Sequence, residues 1–202
     1  MAEGLLIVIS GPSGVGKGSI IETVMKSMPN LTFSVSCTTR KPRENEKEGV
    51  HYFFISEAEF KRKIDQNEFL EWARVHNDYY GTLKGAVRAV LSKGQDLLLD
   101  IDVQGGQELR KGIPEAVSVF ILPPTLSSLK ERLQHRHTEN TTAIEQRLHA
   151  ARKELSHITE YQYVVVNDSL LEAVEDVKAI IRAERCKSKR RLNEISHALS
   201  PD

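Results

Sequence analysis

A three-layer α/β fold around a parallel core sheet is predicted by two features of this chain. Short apolar runs alternate with longer amphipathic stretches, the pattern of buried strands joined by helical crossovers. The first apolar run also feeds a glycine-rich turn that opens directly into an amphipathic helix. With 202 residues and 40% hydrophobic content, the chain can bury one sizeable core carrying small insertions.

About five core strands are expected, at residues 5–10 ("LLIVIS"), 33–36 ("FSVS"), 97–101 ("LLLDI"), 117–122 ("VSVFIL") and 163–166 ("YVVV"). The first helix spans 18–28, where Ile20, Ile21, Val24, Met25 and Met28 share a face. Further helices are predicted at 104–111, 125–134, 142–160 and 170–192. Between residues 38 and 94 the texture changes to a charged, turn-rich approach to an aromatic strand, which reads as an inserted subdomain. There Ser56 and Glu59 form a capping box, and Thr82 is placed to cap a helix that stops at Gly94. No internal repeat or low-complexity tract is visible.

Lys+Arg and Asp+Glu both number 28, so no overall charge draws the chain to nucleic acid or to an anionic membrane. Cys37 and Cys186 lie far apart without C-x-x-C spacing, against a disulfide framework or zinc ribbon and in favour of a reducing cytoplasm. The first residues enter the opening strand without a basic leader, and no apolar run reaches membrane-spanning length, so neither export nor insertion is expected. His135 and His137 lack the neighbouring ligands of a metal site.

The glycine-rich turn comprises Gly11, Pro12, Ser13, Gly14, Val15, Gly16, Lys17, Gly18 and Ser19, and nearly matches the phosphate-loop pattern G-x-x-x-x-G-K-[ST]. Strand, loop and helix follow in the required order. Backbone amides then converge at a helix N-terminus, and Lys17 can reach the terminal phosphates of a nucleotide. Gly18 stands where the pattern supplies a hydroxyl for magnesium. Water could take that position, with Ser19 at most auxiliary, because magnesium usually retains several waters.

Arg40 and Arg43, in a turn-forming segment beside Ser36, Thr38 and Thr39, suggest a second phosphate site, since arginine binds phosphate bidentately. Asp100 and Asp102 close an apolar strand at the edge where ligands of parallel sheets bind. One could orient magnesium-bound water and the other meet a substrate; alternatively they cap a helix. The basic run 185–191 reads as a solvated helix face rather than a nucleic-acid patch.

The ordered motifs "GPSGVGKG", "SVSCTTRKPR", "HYFF", "FLEWA", "NDYYGT", "LDIDVQG", "ILPP" and "VVVND" resemble those of the guanylate kinases, in the nucleoside monophosphate kinase group, over essentially the whole chain. The resemblance implies one P-loop domain, with a core of 1–35, 95–131 and 154–202, a GMP-binding subdomain of 36–94 and a small lid of 132–153. It implies ATP-dependent phosphorylation of GMP, and of dGMP, with magnesium held through ATP and water rather than by dedicated protein ligands. Arg40, Arg43, Tyr52 and Tyr80 would hold the GMP phosphate, while Ser36, Glu71, Thr82 and Asp102 would read guanine. Asn167 would lie near the adenine of ATP. Lys17, Arg40, Arg136, Arg147 and Asp100 would serve the transfer itself, with "HRH" at 135–137 departing from the glycine-flanked arginine of the family's lid.

Guanine independently suits a carboxylate, because its adjacent N1–H and N2–H2 donors can share one. Periodicity alone, however, puts Glu71 on the exposed face of its strand, opposite Leu70 and Trp72; only the resemblance turns it inward. Two other readings stay open: a non-catalytic scaffold module of the same fold that binds phosphorylated peptides, and a kinase of another small phosphate such as a ribose bisphosphate. Lys17 and the lid arginines favour catalysis, and Glu71 and Ser36 favour guanine. The expected partners are ATP and GMP, with no nucleic acid or membrane; a homo-oligomer is left open.

Overall fold

The computed structural model describes residues 3–75, 77–134 and 141–192. In chain order its first half comprises β1 (Leu6–Ser10), α1 (Lys17–Ser27), β2 (Leu31–Phe33), β3 (Ser36–Thr38), β4 (Tyr52–Phe54), α2 (Glu57–Asp65), β5 (Phe69–Val75), β6 (Asp78–Leu83) and α3 (Lys84–Leu91). The second half contains β7 (Asp96–Asp100), α4 (Val103–Gly112), β8 (Val117–Leu122), α5 (Leu126–Gln134), α6 (Thr141–Leu155), a 3-10 turn at Ile158–Glu160, β9 (Tyr163–Val166) and α7 (Leu170–Arg185).

The core sheet runs β2-β7-β1-β8-β9, and every pairing in it is parallel. All five residues of β1 are buried because both faces of the sheet are covered. Ile7 and Ile9 pack with Ile20 and Val24 of α1 and Val174, Val177 and Ile181 of α7. Leu6 and Val8 face the other way, toward Val87 and Leu91 of α3 and Leu109 of α4. Three layers result, with the carboxyl ends of β1 and β7 opening onto one edge.

A second sheet, β4-β3-β6-β5, is formed by residues between Ser36 and Leu83. It closes over α2 through Phe60, fully buried and stacked on Phe69 and Tyr79 at centroid distances of 4.3 and 5.3 Å. α2 begins with Ser56 Oγ accepting the Glu59 amide, as expected for its cap.

Four details differ from the sequence reading, the first being that the helix expected over 142–160 ends at Leu155, before a separate 3-10 turn at Ile158–Glu160. The run 33–36 is not one strand: β2 ends at Phe33 in the core sheet and β3 starts at Ser36 in the second, because the chain changes pairing partners between them. Thr82 does not cap α3; β6 continues to Leu83, and the Thr82 hydroxyl is committed to Glu71. The last long helix stops at Arg185 rather than 192, where Arg185 turns back to pair with Asp96 (2.6 Å) and to donate to the Pro29 carbonyl.

Candidate active site

The loop between β1 and α1 has the backbone needed to surround an anion. Gly11, Gly14 and Gly16 all have positive φ, and Gly16 caps α1 at φ 98°, a conformation that L side chains rarely adopt. Two residues brace this loop from behind. Asn167, buried, donates Nδ2 to the Val15 carbonyl at 2.8 Å, and Arg132 bridges the Val15 and Asn167 carbonyls at 3.1 and 2.8 Å. The Asn167 amide group therefore holds the loop's backbone, whatever else it meets.

Lys17 folds over the loop, donating to the Gly11 carbonyl at 2.7 Å, with Nζ 4.0 Å from Asp100 Oδ1 at the end of β7. Burial raises the Asp100 pKa above the usual carboxylate range, and the Lys17 charge pulls it back. Gly18 and Ser19 are exposed, and a β-carbon at Gly18 would meet nothing within 4 Å. From α6, Arg147 Nη1 reaches Ser13 Oγ at 3.3 Å, which ties α6 to the loop. Arg136, His135 and His137 lie outside the described residues.

Across the end of β7 stands a chain of polar groups from the second sheet. Ser36 Oγ lies 3.2 Å from Thr82 Oγ1, which donates to Glu71 Oε1 at 2.6 Å. Glu71 is 5% exposed, whereas Trp72 beside it is 41% exposed. The periodicity reading is thus inverted: Phe69, Glu71 and Ala73 face inward. Burial pushes the Glu71 pKa up to about 7; the Thr82 hydrogen bond opposes this and the Asp102 charge adds to it. Asp102 itself caps α4, accepting the Gly105 amide at 2.9 Å, as the capping reading has it. Burial raises its pKa too, against the Gly105 hydrogen bond.

A basic and aromatic cluster completes this side. Arg40 donates from Nε to Tyr80 Oη at 3.2 Å and from Nη2 to Glu46 Oε1 at 2.8 Å, and its guanidinium lies 5.6 Å from the Tyr52 ring centroid. The Tyr52 and Tyr80 rings meet edge to face at 5.8 Å. Burial pushes the Tyr52 hydroxyl up to about 12, while the Glu46 hydrogen bond holds Arg40 firmly charged. The Arg43 side chain is exposed; its amide donates to Glu46 Oε2 at 2.9 Å.

The sequence reading missed Glu46, Arg132 and Glu154. Glu46 pairs with Arg40, six residues before it, and accepts the Arg43 amide, three residues before it, a short spacing that could have flagged it. Arg132 and Glu154 carry no such signal, because their partners are distant in sequence. Glu154, in α6, has a buried oxygen without a hydrogen-bond partner and lies close enough to Lys17 and Asp102 to feel both charges. Among the described residues, no cluster of three or more His, Cys, Asp or Glu side chains could hold a metal ion, and no helix is long and apolar enough to cross a membrane.

Comparison with known proteins gives a consistent match. The sequence profile of the guanylate kinase family matches residues 3–184. A guanylate kinase of Carboxydothermus hydrogenoformans is 46% identical over 190 residues, covering 94% of this chain and 93% of that one. One from Thermotoga maritima is also 46% identical, covering 96% and 93%. Among solved structures, a guanylate kinase from Anaplasma phagocytophilum superposes with a TM-score of 0.82 at 32% identity, covering 100% of this chain and 98% of that one.

Proposed function

This chain belongs to the guanylate kinase family, and from that premise we propose how its residues divide the work of phosphorylating GMP with ATP to give GDP and ADP. The observation that carries the assignment is the pairing of two unlike sites across the end of β7. One is an anion-binding loop with Lys17; the other is a buried acceptor chain, Ser36–Thr82–Glu71.

ATP occupies the loop at residues 11–19, its phosphates on the backbone amides and on Lys17. GMP lies against the second sheet. Glu71, when ionised, accepts guanine N1–H and N2–H2, with Ser36, Thr82 and Asp102 around it, and adenine offers no such adjacent donors. Arg40, Arg43, Tyr52 and Tyr80 take the GMP phosphate, which exchanges the Glu46 carboxylate for a more highly charged anion. None of the assigned groups is reserved for the ribose 2′-hydroxyl, so dGMP is included.

Magnesium fits this site without a dedicated protein cage. Asp100 is the acid at the mouth of the loop, beside Lys17 and able to accept hydrogen bonds from metal-bound water. When bound, the ion would neutralise charge on the ATP phosphates. The protein's own part is positioning and charge screening, because the acceptor is already an anionic phosphate oxygen and no proton has to be removed first. Arg147, and with it Arg136, balances charge developing on the transferred group. Lid and GMP-binding segments excluding water would suppress wasteful hydrolysis. A cytoplasmic location accords with this reading, as do the free thiols of Cys37 and Cys186.

The test is ADP release measured with a panel of nucleoside monophosphates. GMP should be preferred by several orders of magnitude; equal efficiency with AMP or CMP would overturn the Glu71 assignment.

A further inference from the structure

We propose that Gly105 is a specificity-determining position, one whose missing side chain makes the room in which Glu71 can read guanine. The inference rests on the proposed role of Glu71. Gly105 lies in the first turn of α4 and touches both acids of the pocket in different ways. Its amide donates to Asp102 Oδ1 at 2.9 Å. A β-carbon on it would stand 2.5 Å from Glu71 Oε2, 3.4 Å from Glu71 Cδ and 3.2 Å from Asp102 Oδ1. The Glu71 carboxylate therefore rests in a notch that α4 leaves open at this one residue.

A methyl group placed there has to displace something. α4 itself is held: Leu109 is fully buried, Arg110 pairs with Glu160 at 2.7 Å, and neighbouring Gly106 is as close to the Tyr161 hydroxyl and Ser10 as a glycine allows. The Glu71 carboxylate is the softest element in contact, a side-chain tip that can turn away by giving up its bond to Thr82. The backbone at Gly105 does not require glycine, since its φ lies outside the left-handed region, and alanine is the better helix former. The consequence of Gly105→Ala falls on recognition and not on folding.

Steady-state kinetics of Gly105→Ala, Glu71→Ala and the double variant test this, with Gly112→Ala as a control in the same helix, where a β-carbon meets nothing within 4 Å. Gly105→Ala should raise the KM for GMP by about tenfold or more and erode the preference over AMP, as expected when a charged hydrogen-bond partner is misplaced. The KM for ATP and the melting temperature should stay close to those of the parent. In the Glu71→Ala background the same change should have no further effect on GMP, because the two residues act through one contact. If Glu71→Ala leaves guanine selectivity intact, the underlying reading fails. If Glu71→Ala abolishes selectivity while Gly105→Ala keeps KM within about twofold, or if the two effects simply multiply, the role of Gly105 is overturned. Should Gly105→Ala not fold, a folded double variant supports the contact and an unfolded one refutes it.

Discussion

Thr82 donates its hydroxyl proton to Glu71 Oε1 across 2.6 Å, and this bond aims a carboxylate that is almost wholly removed from water. The hydroxyl and backbone bonds from Thr82 do not offset the loss of water around an ionised carboxylate, so burial pushes the Glu71 pKa up to about 7. In the role proposed for Glu71, guanine supplies the further donors. The site is therefore less stable empty than filled, which ties substrate choice to pH.

The first prediction concerns that linkage. Below pH 7 GMP has to displace the Glu71 proton, so its KM should rise roughly tenfold for each further unit of acid and level off above pH 7. The GMP phosphate also titrates, near pH 6, and Glu71→Gln separates the two: its profile should keep only the phosphate part. Stability should move oppositely. A carboxyl group whose folded pKa is raised contributes most below pH 4.5, and that contribution is lost progressively as pH rises to about 7. The loss is on the order of 3 kcal/mol. Relative to Glu71→Gln, the parent should thus weaken between pH 5 and pH 8 in denaturant titrations. Parallel stability curves would rule out a raised Glu71 pKa.

Lys17→Ala should abolish transfer while the fold survives. The side chain makes one hydrogen bond, to the Gly11 carbonyl, and faces Asp100, so its structural contribution is about 1 kcal/mol. In the proposed role its charge meets the terminal phosphates, and its loss should cost about 10³-fold or more in kcat. Calorimetric titration should still show GMP binding. Near-normal turnover with unchanged structure would overturn the role of Lys17 in transfer.

Arg40 bonds three groups with the three nitrogens of one planar fork, Tyr80 from Nε, the Lys41 carbonyl from Nη1 and Glu46 from Nη2. A lysine has one nitrogen on a flexible stem and cannot reproduce that geometry. Arg40→Lys should therefore raise the GMP KM by about tenfold or more, while guanosine, which lacks the phosphate, should inhibit as well as it does in the parent. An equal loss of guanosine binding would place Arg40 in base recognition instead.

The parts legible in the sequence were those governed by local rules. β1 and α1 followed from an apolar run, a glycine pattern and a helical period, each contained within a few residues. Glu71 was not legible in this way, since alternation could place either Phe69, Glu71 and Ala73 or Leu70, Trp72 and Arg74 inside. The first set is inside because Phe69 packs on Phe60 while α4 lies over Glu71, contacts that periodicity along one strand does not contain. The break between β2 and β3 was hidden for the same reason: an apolar run does not reveal that its two halves pair in different sheets. Asn167 and Arg132 brace the loop from more than a hundred residues away, and only the assembled fold brings them there.

Gly18 gives the last prediction. It is the second residue of α1, it has no positive φ, and its β-carbon would face open space. Serine should fit there and restore the hydroxyl of the usual pattern. If magnesium is held mainly through ATP and water, with Asp100 beside it, the missing hydroxyl costs the enzyme little. Gly18→Ser should then keep kcat within about twofold, as surface substitutions usually do, and lower the magnesium concentration needed for half-maximal rate. Ser19 is exposed, and its carbonyl already accepts from Thr23; Ser19→Ala should cost equally little. Magnesium titrations of both variants at saturating ATP and GMP check this. A large loss in Ser19→Ala would mean that Ser19 has taken over coordination, and an inactive parent rescued by Gly18→Ser would mean that this loop has lost its metal site.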